Sequence, residues 1–593
     1  MVRRAPLLAH LVVALLPRQI LGIPFAPPVA APAAMLPAIS LGTPNARGVR
    51  TFVDAHGHER HFHGVNAVVK GPPWHPTVGA YDFETSLVDR DFELLQSAGV
   101  NVLRLGVMWS GVEPVRGQYN STYMETIRGI AQAAATYGIY TLLDMHQDAM
   151  SERFCGEGFP PWAVQPSGHL PFPEPVAAPF ADPGPGGLPS RSDCARHAWF
   201  HYYFSEASAT AWQALYSNKD GLLDAWGAMW GTVAAAFKGE PHILGIEAIN
   251  EPFAGDVIHD PLLLRPMHAS SANLQHVFDV LAQQVWAADP ARLFFFAGVP
   301  WANLGTGFAH APAGSDNGYR SVLVFHHYEV PYGPQLTNSS REHAQLYVED
   351  AKRLGTGLML TEFAELCGTS SADSQRWEAE TSAADGFALS WISWEYKSFS
   401  KGAPSPTPDS QWNEFGARKT GVGGCLFDPD GAVRVRNLRA QARPYAQFVA
   451  GRLRTLEFEP LVARLYLAIE PQTDANLTHT SVIYVGLEHW YPDGYHVDVQ
   501  PTGAAVWGPM GANFLGVRVL ETPETETQAG ETGSRKERGE GGGQGHSQPE
   551  VLEITVTPLK KGVSGKGSVG TTEGVYSKQK AVSEVDAGRD RAR

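Results

Sequence analysis

Between residues 60 and 450, short and nearly unbroken apolar runs alternate with stretches whose apolar positions recur at helical spacing. The runs fall at 61–69 (HFHGVNAVV), 101–107 (NVLRLGV), 140–146 (YTLLDMH), 243–249 (ILGIEAI), 292–298 (RLFFFAG), 321–328 (SVLVFHHY), 357–363 (GLMLTEF) and 388–396 (ALSWISWEY). Continuous apolar runs fit parallel strands covered on both faces. Between them, 85–99, 122–137, 220–237, 271–288 and 341–354 carry the helical pattern, the first opening on Thr85 and Ser86 and stopping at Gly99. Eight strand-then-helix units predict an α/β fold, a (β/α)8 TIM barrel, over 49–450. A doubly wound open sheet is the alternative, disfavoured because no glycine-rich phosphate loop follows the first strand.

The pattern breaks in four places. Residues 147–218, after the third strand, are rich in Pro, Gly and aromatics. Loops at strand C-termini build the active sites of barrels, so this insertion is expected to wall a cleft. Residues 451–522 switch to short alternating runs, which predict a small C-terminal β-sandwich, with 550–558 (LEITVT at its centre) as one further strand. The rest of 523–593 is Gly, Glu, Lys, Ser and Thr and reads as a disordered charged tail. At the other end, Arg3 and Arg4 precede the apolar run Leu7 to Leu16, the form of a signal peptide over 1–22, followed by a Pro/Ala-rich leader over 23–48.

Composition narrows the picture further. The 593 residues suit a barrel plus an accessory domain, and 15 Trp, 19 Tyr and 27 Phe leave rings over for a sugar-binding cleft. A net charge of −15 argues against nucleic acid or an anionic membrane as the main partner, and no obligatory protein partner is evident. A secreted or lumenal address is expected, with Asn120, Asn338 and Asn476 heading glycosylation sequons. Cys155, Cys194, Cys367 and Cys425 allow three complete pairings. Cys155–Cys194 and Cys367–Cys425 are preferred, with four free thiols as the alternative.

The chemistry concentrates at predicted strand ends. Asn250-Glu251-Pro252 follows the fourth strand, and Glu362 ends the seventh in Leu360-Thr361-Glu362-Phe363. The rims of these strands face each other across a barrel mouth, so the two carboxyl groups can flank one glycosidic bond. Glu251 is expected as acid/base and Glu362 as nucleophile. Arg104, His146, Asp148, Asn250, His326, Tyr328, Trp391 and Trp394 fall on or beside the same strands. An arginine near Glu362 would hold it ionised, and a less solvated Glu251 would keep its proton. Asn250 is placed for a sugar 2-hydroxyl, and a Trp face can stack on a pyranose ring. His56, His58, His61 and His63 cluster near the first strand but read as solvated turn histidines rather than a zinc site. No metal or organic cofactor is called for.

Arg104, His146, Asn250-Glu251-Pro252, His326-x-Tyr328, Glu362 and Trp394 together resemble the active-site set of glycoside hydrolase family 5. Asp144-Met-His-Gln-Asp148, Cys155-Gly-Glu-Gly158, Gly64-Val-Asn-Ala-Val-Val-Lys70 and Ser393-Trp-Glu-Tyr-Lys397 are narrower and resemble its endoglycoceramidase branch. The resemblance implies a retaining β-glycosidase acting on glycosphingolipids, at a membrane or micelle surface, with Lys70 and Asp148 contacting sugar. It leaves an exo-acting glucosylceramide or steryl β-glucosidase as the nearest alternative, a polysaccharide hydrolase as a more distant one, and a catalytically inactive carbohydrate- or lipid-binding barrel as one of another class.

Overall fold

The computed structural model describes residues 36–180, 187–301, 304–328, 340–363, 371–399, 426–428, 430–472, 479–520, 550–559 and 573–576. The expected signal peptide, Asn338, Asn476, Cys367, Cys425 and most of the charged tail lie outside them.

The chain enters through an antiparallel hairpin, β1 (Ile39–Pro44) and β2 (Arg50–Asp54), followed by the two-residue β3 (Glu59–Arg60). The leader expected over 23–48 is therefore a strand from Ile39. Its apolar side chain Leu41 joins Phe52 and Phe62 in the core that fills the barrel, and the Tyr140 hydroxyl donates to the Pro37 carbonyl at 2.8 Å. This hairpin closes the barrel at the end opposite the strand C-termini.

Eight parallel strands form the barrel in chain order: β4 (His63–Ala67), β5 (Val102–Gly106), β6 (Tyr140–Asp144), β7 (Ile243–Glu247), β8 (Phe294–Ala297), β9 (Ser321–His327), β10 (Gly357–Phe363) and β11 (Ser390–Ser393). β11 pairs with β10 on one side and returns to β4 on the other, in register Trp391↔His63, so the cylinder is closed. Val102, Leu142, Leu244, Phe295, Val324, Met359 and Ile392 pack in one interior cluster, while the opposite strand faces meet the helices. Burial on both faces is why these strands show no polar alternation.

The first helix spans Asp89–Ser97 rather than starting at Thr85, because its start is set by Asp91. The Asp91 carboxylate accepts from the Val88 N–H at 2.9 Å and from the Ser86 hydroxyl at 2.8 Å, satisfying donors that a helix start leaves open. At the other end Gly99 takes φ +74, and a Cβ there would lie 2.5 Å from the Tyr484 ring. Its carbonyl accepts from the Tyr445 hydroxyl at 2.8 Å, which seats the C-terminal domain on this turn.

That domain is two facing antiparallel sheets. One contains β12 (Tyr445–Val449), β15 (Thr480–Tyr484), β17 (Ala505–Pro509) and β18 (Phe514–Val519), in the order β12-β15-β18-β17, and continues through β3 and β2 to the barrel. The other contains β13 (Gly451–Glu459), β14 (Arg464–Pro471), β16 (Tyr495–Gln500), β19 (Leu552–Pro558) and β20 (Glu573–Tyr576), in the order β13-β14-β19-β16-β20. β19 is a central strand of its sheet although more than thirty residues separate it from β18 in sequence. Its Leu552, Ile554 and Val556 are buried at alternate positions.

The insertion after β6 is built of turns around its own aromatic cluster. Phe172 packs against Phe154, Phe180 and Tyr202 with ring centroids 5.4–5.5 Å apart. A Cys155–Cys194 disulfide closes a loop across 39 residues of sequence. In the chain-entropy picture that closure contributes roughly 4 kcal/mol.

The four clustered histidines are not solvated as a group. Only His56 is exposed; His58 is buried with Nδ1 3.2 Å from Asp54, and His61 lies 3.2 Å from Glu59. His63 is stacked between Tyr445 and Trp391, with centroids 3.6 and 4.1 Å away. The turn placed His56 in water, but strand pairing carried the others under the sandwich.

Candidate active site

The barrel interior is apolar up to the last turn of its strands, where one cation organises the mouth. Arg104 on β5 is fully buried and uses every nitrogen. Its Nε and Nη2 donate to the two Glu247 oxygens at 2.8 Å each, and Nη2 also reaches Asn250 Oδ1 at 3.0 Å. Nη1 donates to Glu362 Oε1 at 2.6 Å and to Asn66 Oδ1 at 2.9 Å, and Asp144 Oδ1 lies 3.0 Å from Nη2. One guanidinium thus faces three carboxylates. Burial raises Asp144 and Glu247 to about 7 against the opposing pull of Arg104. Asn66 ties the array to the backbone, donating to the Thr361 and Ser393 carbonyls at 3.0 and 3.1 Å.

Glu362 and Glu251 face each other within this frame. Burial alone would raise the Glu362 carboxyl, but the charges of His326 and Arg104 and the Tyr328 hydroxyl, donated to Oε2 at 2.9 Å, hold it below its ordinary value. Glu251 moves the opposite way: burial raises it, and the hydrogen bond with His326 offsets this only in part. Its Oε1 lies 2.8 Å from His326 Nδ1, and His326 Nε2 is 3.1 Å from the Thr361 hydroxyl. Oxygens of Glu251 and Glu362 and a His326 nitrogen all fall within 4.8 Å of one another. Glu251 takes φ +40, a left-handed conformation that a side chain adopts only under restraint. Gln147 supplies it, its Nε2 donating to the Asn250 and Glu251 carbonyls at 2.9 Å each.

A second group borders the carboxylates. Lys70, three residues past β4, pairs with Asp148, lies 3.6 Å from Glu157 and sits 4.9 Å over the Trp394 ring. His146 stacks on Trp394 with centroids 5.1 Å apart and rings 18° from parallel. Its Nδ1 lies 2.9 Å from Asp144, and burial pushes it down to about 3, so the ring is neutral. The expected residues Lys70, Arg104, His146, Asp148, Asn250, Glu251, His326, Tyr328, Glu362 and Trp394 therefore share one mouth.

Trp391 does not. It is fully buried against His63, Phe363 and Trp377, on the outward face of β11. The pleat explains this: Ile392 points into the barrel, so Trp391 points to the helices. Residues absent from the expected set are Asn66, Asp144, Glu247 and Glu157. Asp144 and Glu247 carried a readable signal, as charges ending otherwise apolar strands.

Two carboxyl groups this close leave no room for a water between base and sugar, which fits double displacement. A closed barrel with such a pair at the strand C-termini defines a retaining glycoside hydrolase. Residues 53–400 match the model for cellulase (glycosyl hydrolase family 5), and residues 443–529 match that for the glycoside hydrolase family 5 C-terminal domain. An endoglycoceramidase of Cyanea nozakii is 39% identical over 460 residues, covering 77% of this chain and 86% of the relative. That of Hydra vulgaris is 36% identical, covering 76% and 82%. In fold, the chain is similar to endo-glycoceramidase II from Rhodococcus sp. in its ganglioside GM3 complex, with TM-score 0.59 at 20% identity, covering 87% of this chain and 100% of that one. The chain belongs to glycoside hydrolase family 5, among its endoglycoceramidases.

Proposed function

We propose that the chain hydrolyses the β-glycosidic bond joining the glycan of a glycosphingolipid to ceramide, with retention. The observation that carries this is the opposed Glu251–Glu362 pair beside Lys70 and Asp148, in a chain 39% identical to an endoglycoceramidase over most of both lengths.

Glu362, ionised beside Arg104 and Tyr328, attacks the anomeric carbon, while Glu251 gives its proton to the departing ceramide oxygen. Glu251 then takes a proton from water, whose oxygen attacks the same carbon and frees Glu362 with the glycan released. Asn250, anchored by Arg104, offers its amide to the sugar 2-hydroxyl. Lys70, Asp148, His146 and Trp394 hold the sugar. The ceramide leaves on the Glu251 side, toward the loops after β7 and β8. There Leu262, Leu264, Met267 and Leu304 are between 41% and 61% exposed, an apolar rim suited to a lipid or micelle surface.

Lactosylceramide separates this from exo-acting glucosylceramide hydrolysis. Release of intact lactose and ceramide is expected, and release of a monosaccharide or no cleavage would overturn the reading. We further propose a secreted or lumenal location. The Arg3-to-Leu16 pattern and a Cys155–Cys194 disulfide, which persists in oxidising compartments, support it. Recovery of the protein with a processed N-terminus from the medium or a lumenal fraction checks this.

A further inference from the structure

The Cys155-Gly-Glu-Gly158 segment lies directly against the strand end that carries His146 and Asp148. Glu157 pairs with Asp148 through an isolated antiparallel bridge, its N–H donating to the Asp148 carbonyl at 2.8 Å. The flanking glycines permit this approach. A Cβ on Gly156 would lie 1.7 Å from the Asp148 carbonyl oxygen, and one on Gly158, at φ +113, would lie 2.5 Å from the Gln147 side chain. The disulfide at Cys155 ties the same segment to the rest of the insertion.

This strap delivers one carboxyl group into the mouth. Glu157 is wholly buried, and neither of its oxygens meets a hydrogen-bond donor of the protein. Lys70 is 3.6 Å away, beyond a hydrogen bond, because its ammonium is turned to Asp148. What remains beside Glu157 is the Asp148 carboxyl, which when ionised can only accept. Two buried carboxyl groups in contact are satisfied when one carries a proton and donates it to the other.

We propose that Glu157 is a positioning residue for sugar recognition, a neutral carboxylic acid that donates its proton to Asp148 and fixes the Asp148–Lys70 pair to receive glycan hydroxyls. This rests on the assignment of Lys70 and Asp148 to sugar binding. The electrostatics agree: burial and the charge of Asp148 raise Glu157 well above the ordinary carboxyl range against the pull of Lys70, whereas Lys70 and the hydrogen bond with Glu157 lower Asp148 despite its burial. The titratable groups around this pair are Lys70 just past β4, the neutral His146 ring beside Asp148, the carboxyls of Asp144 and Glu251 and the Tyr203 hydroxyl, all of which feel the Asp148 charge, and Glu395 beyond β11, which acts on Lys70. When Glu157 ionises with rising pH, two carboxylates compete for one ammonium and the pair loses its orientation. KM then rises with pH, in addition to any effect of Glu251, whose carboxyl also feels the Asp148 charge.

The test uses the full chain and lactosylceramide in detergent micelles, with KM and kcat measured from acid to alkaline pH. Glu157→Gln keeps a donor toward Asp148 but cannot titrate. It is expected to keep KM within about threefold at acid pH and to lose the alkaline rise. Glu157→Leu has no donor, and KM is expected to rise about tenfold or more with kcat changed much less, as for loss of a hydrogen bond to a charged group. Wild-type KM in Glu157→Leu, or an alkaline rise retained in Glu157→Gln, overturns the proposal. Asp148→Asn and Lys70→Met test the assignment beneath it. Unchanged KM in both refutes sugar binding by the pair, whereas raised KM in both with wild-type KM in Glu157→Leu refutes the role of Glu157 alone.

Discussion

Replacing Tyr328 by Phe removes one oxygen atom from the site and nothing else. The lost hydroxyl donates to Glu362 Oε2 at 2.9 Å, while Oε1 keeps its 2.6 Å bond from Arg104. A hydrogen bond to a charged group contributes about 1.5–3 kcal/mol. Tyr328 is only partly buried and Arg104 remains, so the lower end applies. About 1.4 kcal/mol corresponds to one pKa unit and to a tenfold change in rate. The sign follows from the charge. The hydroxyl stabilises ionised Glu362, so its removal raises the Glu362 pKa, and the nucleophile is lost at a higher pH. The acid limb of kcat/KM, measured on a soluble aryl β-glycoside, is therefore expected to move up by about one unit, with roughly tenfold less activity on that limb. The fold should stay intact, since the ring remains. An acid limb unmoved in Tyr328→Phe would refute the reasoning that this hydroxyl and Arg104 together hold the nucleophile ionised.

Other outcomes follow from the same geometry. Glu362 held low and Glu251 held high predict a bell-shaped kcat/KM, and Glu251→Gln should remove its alkaline limb along with most turnover of ceramide glycosides. The two tryptophans of β11 and its end should separate: Trp391→Ala should cost about 3–5 kcal/mol of folding stability by calorimetry, whereas Trp394→Ala should mainly raise KM. Cys155→Ser with Cys194→Ser should lower the thermal midpoint and raise KM, because the closed loop carries the strap against Asp148. Equal KM values with and without the disulfide would contradict that coupling.

Much of the site was readable because barrels place chemistry at strand ends. Glu251, Glu362 and His326 each stand where a short apolar run stops, Arg104 is a lone charge inside one, and the closed cylinder brings them together. Trp391 shows where that logic fails. It lies at a rim strand like Trp394, but the direction of a side chain depends on the pleat register, which a four-residue strand does not reveal. Glu157 stood in a motif, yet its burial depends on a strap closed by Cys194 across 39 residues. The same non-locality hid β1, whose Leu41 has an apolar partner only once the barrel floor exists, and made β19 look like an appendix rather than the middle of a sheet. His58, His61 and His63 were misplaced because their cover comes from β12 and its neighbours, nearly 400 residues further along the chain.

The most direct test of the central claim is to trap the intermediate. Incubation with a 2-deoxy-2-fluoro β-lactoside bearing a good leaving group, followed by peptide mass mapping, should place one intact fluorolactosyl group on the peptide containing Glu362. A monosaccharide adduct, an adduct on another residue, or turnover of this reagent without any covalent species would contradict the account.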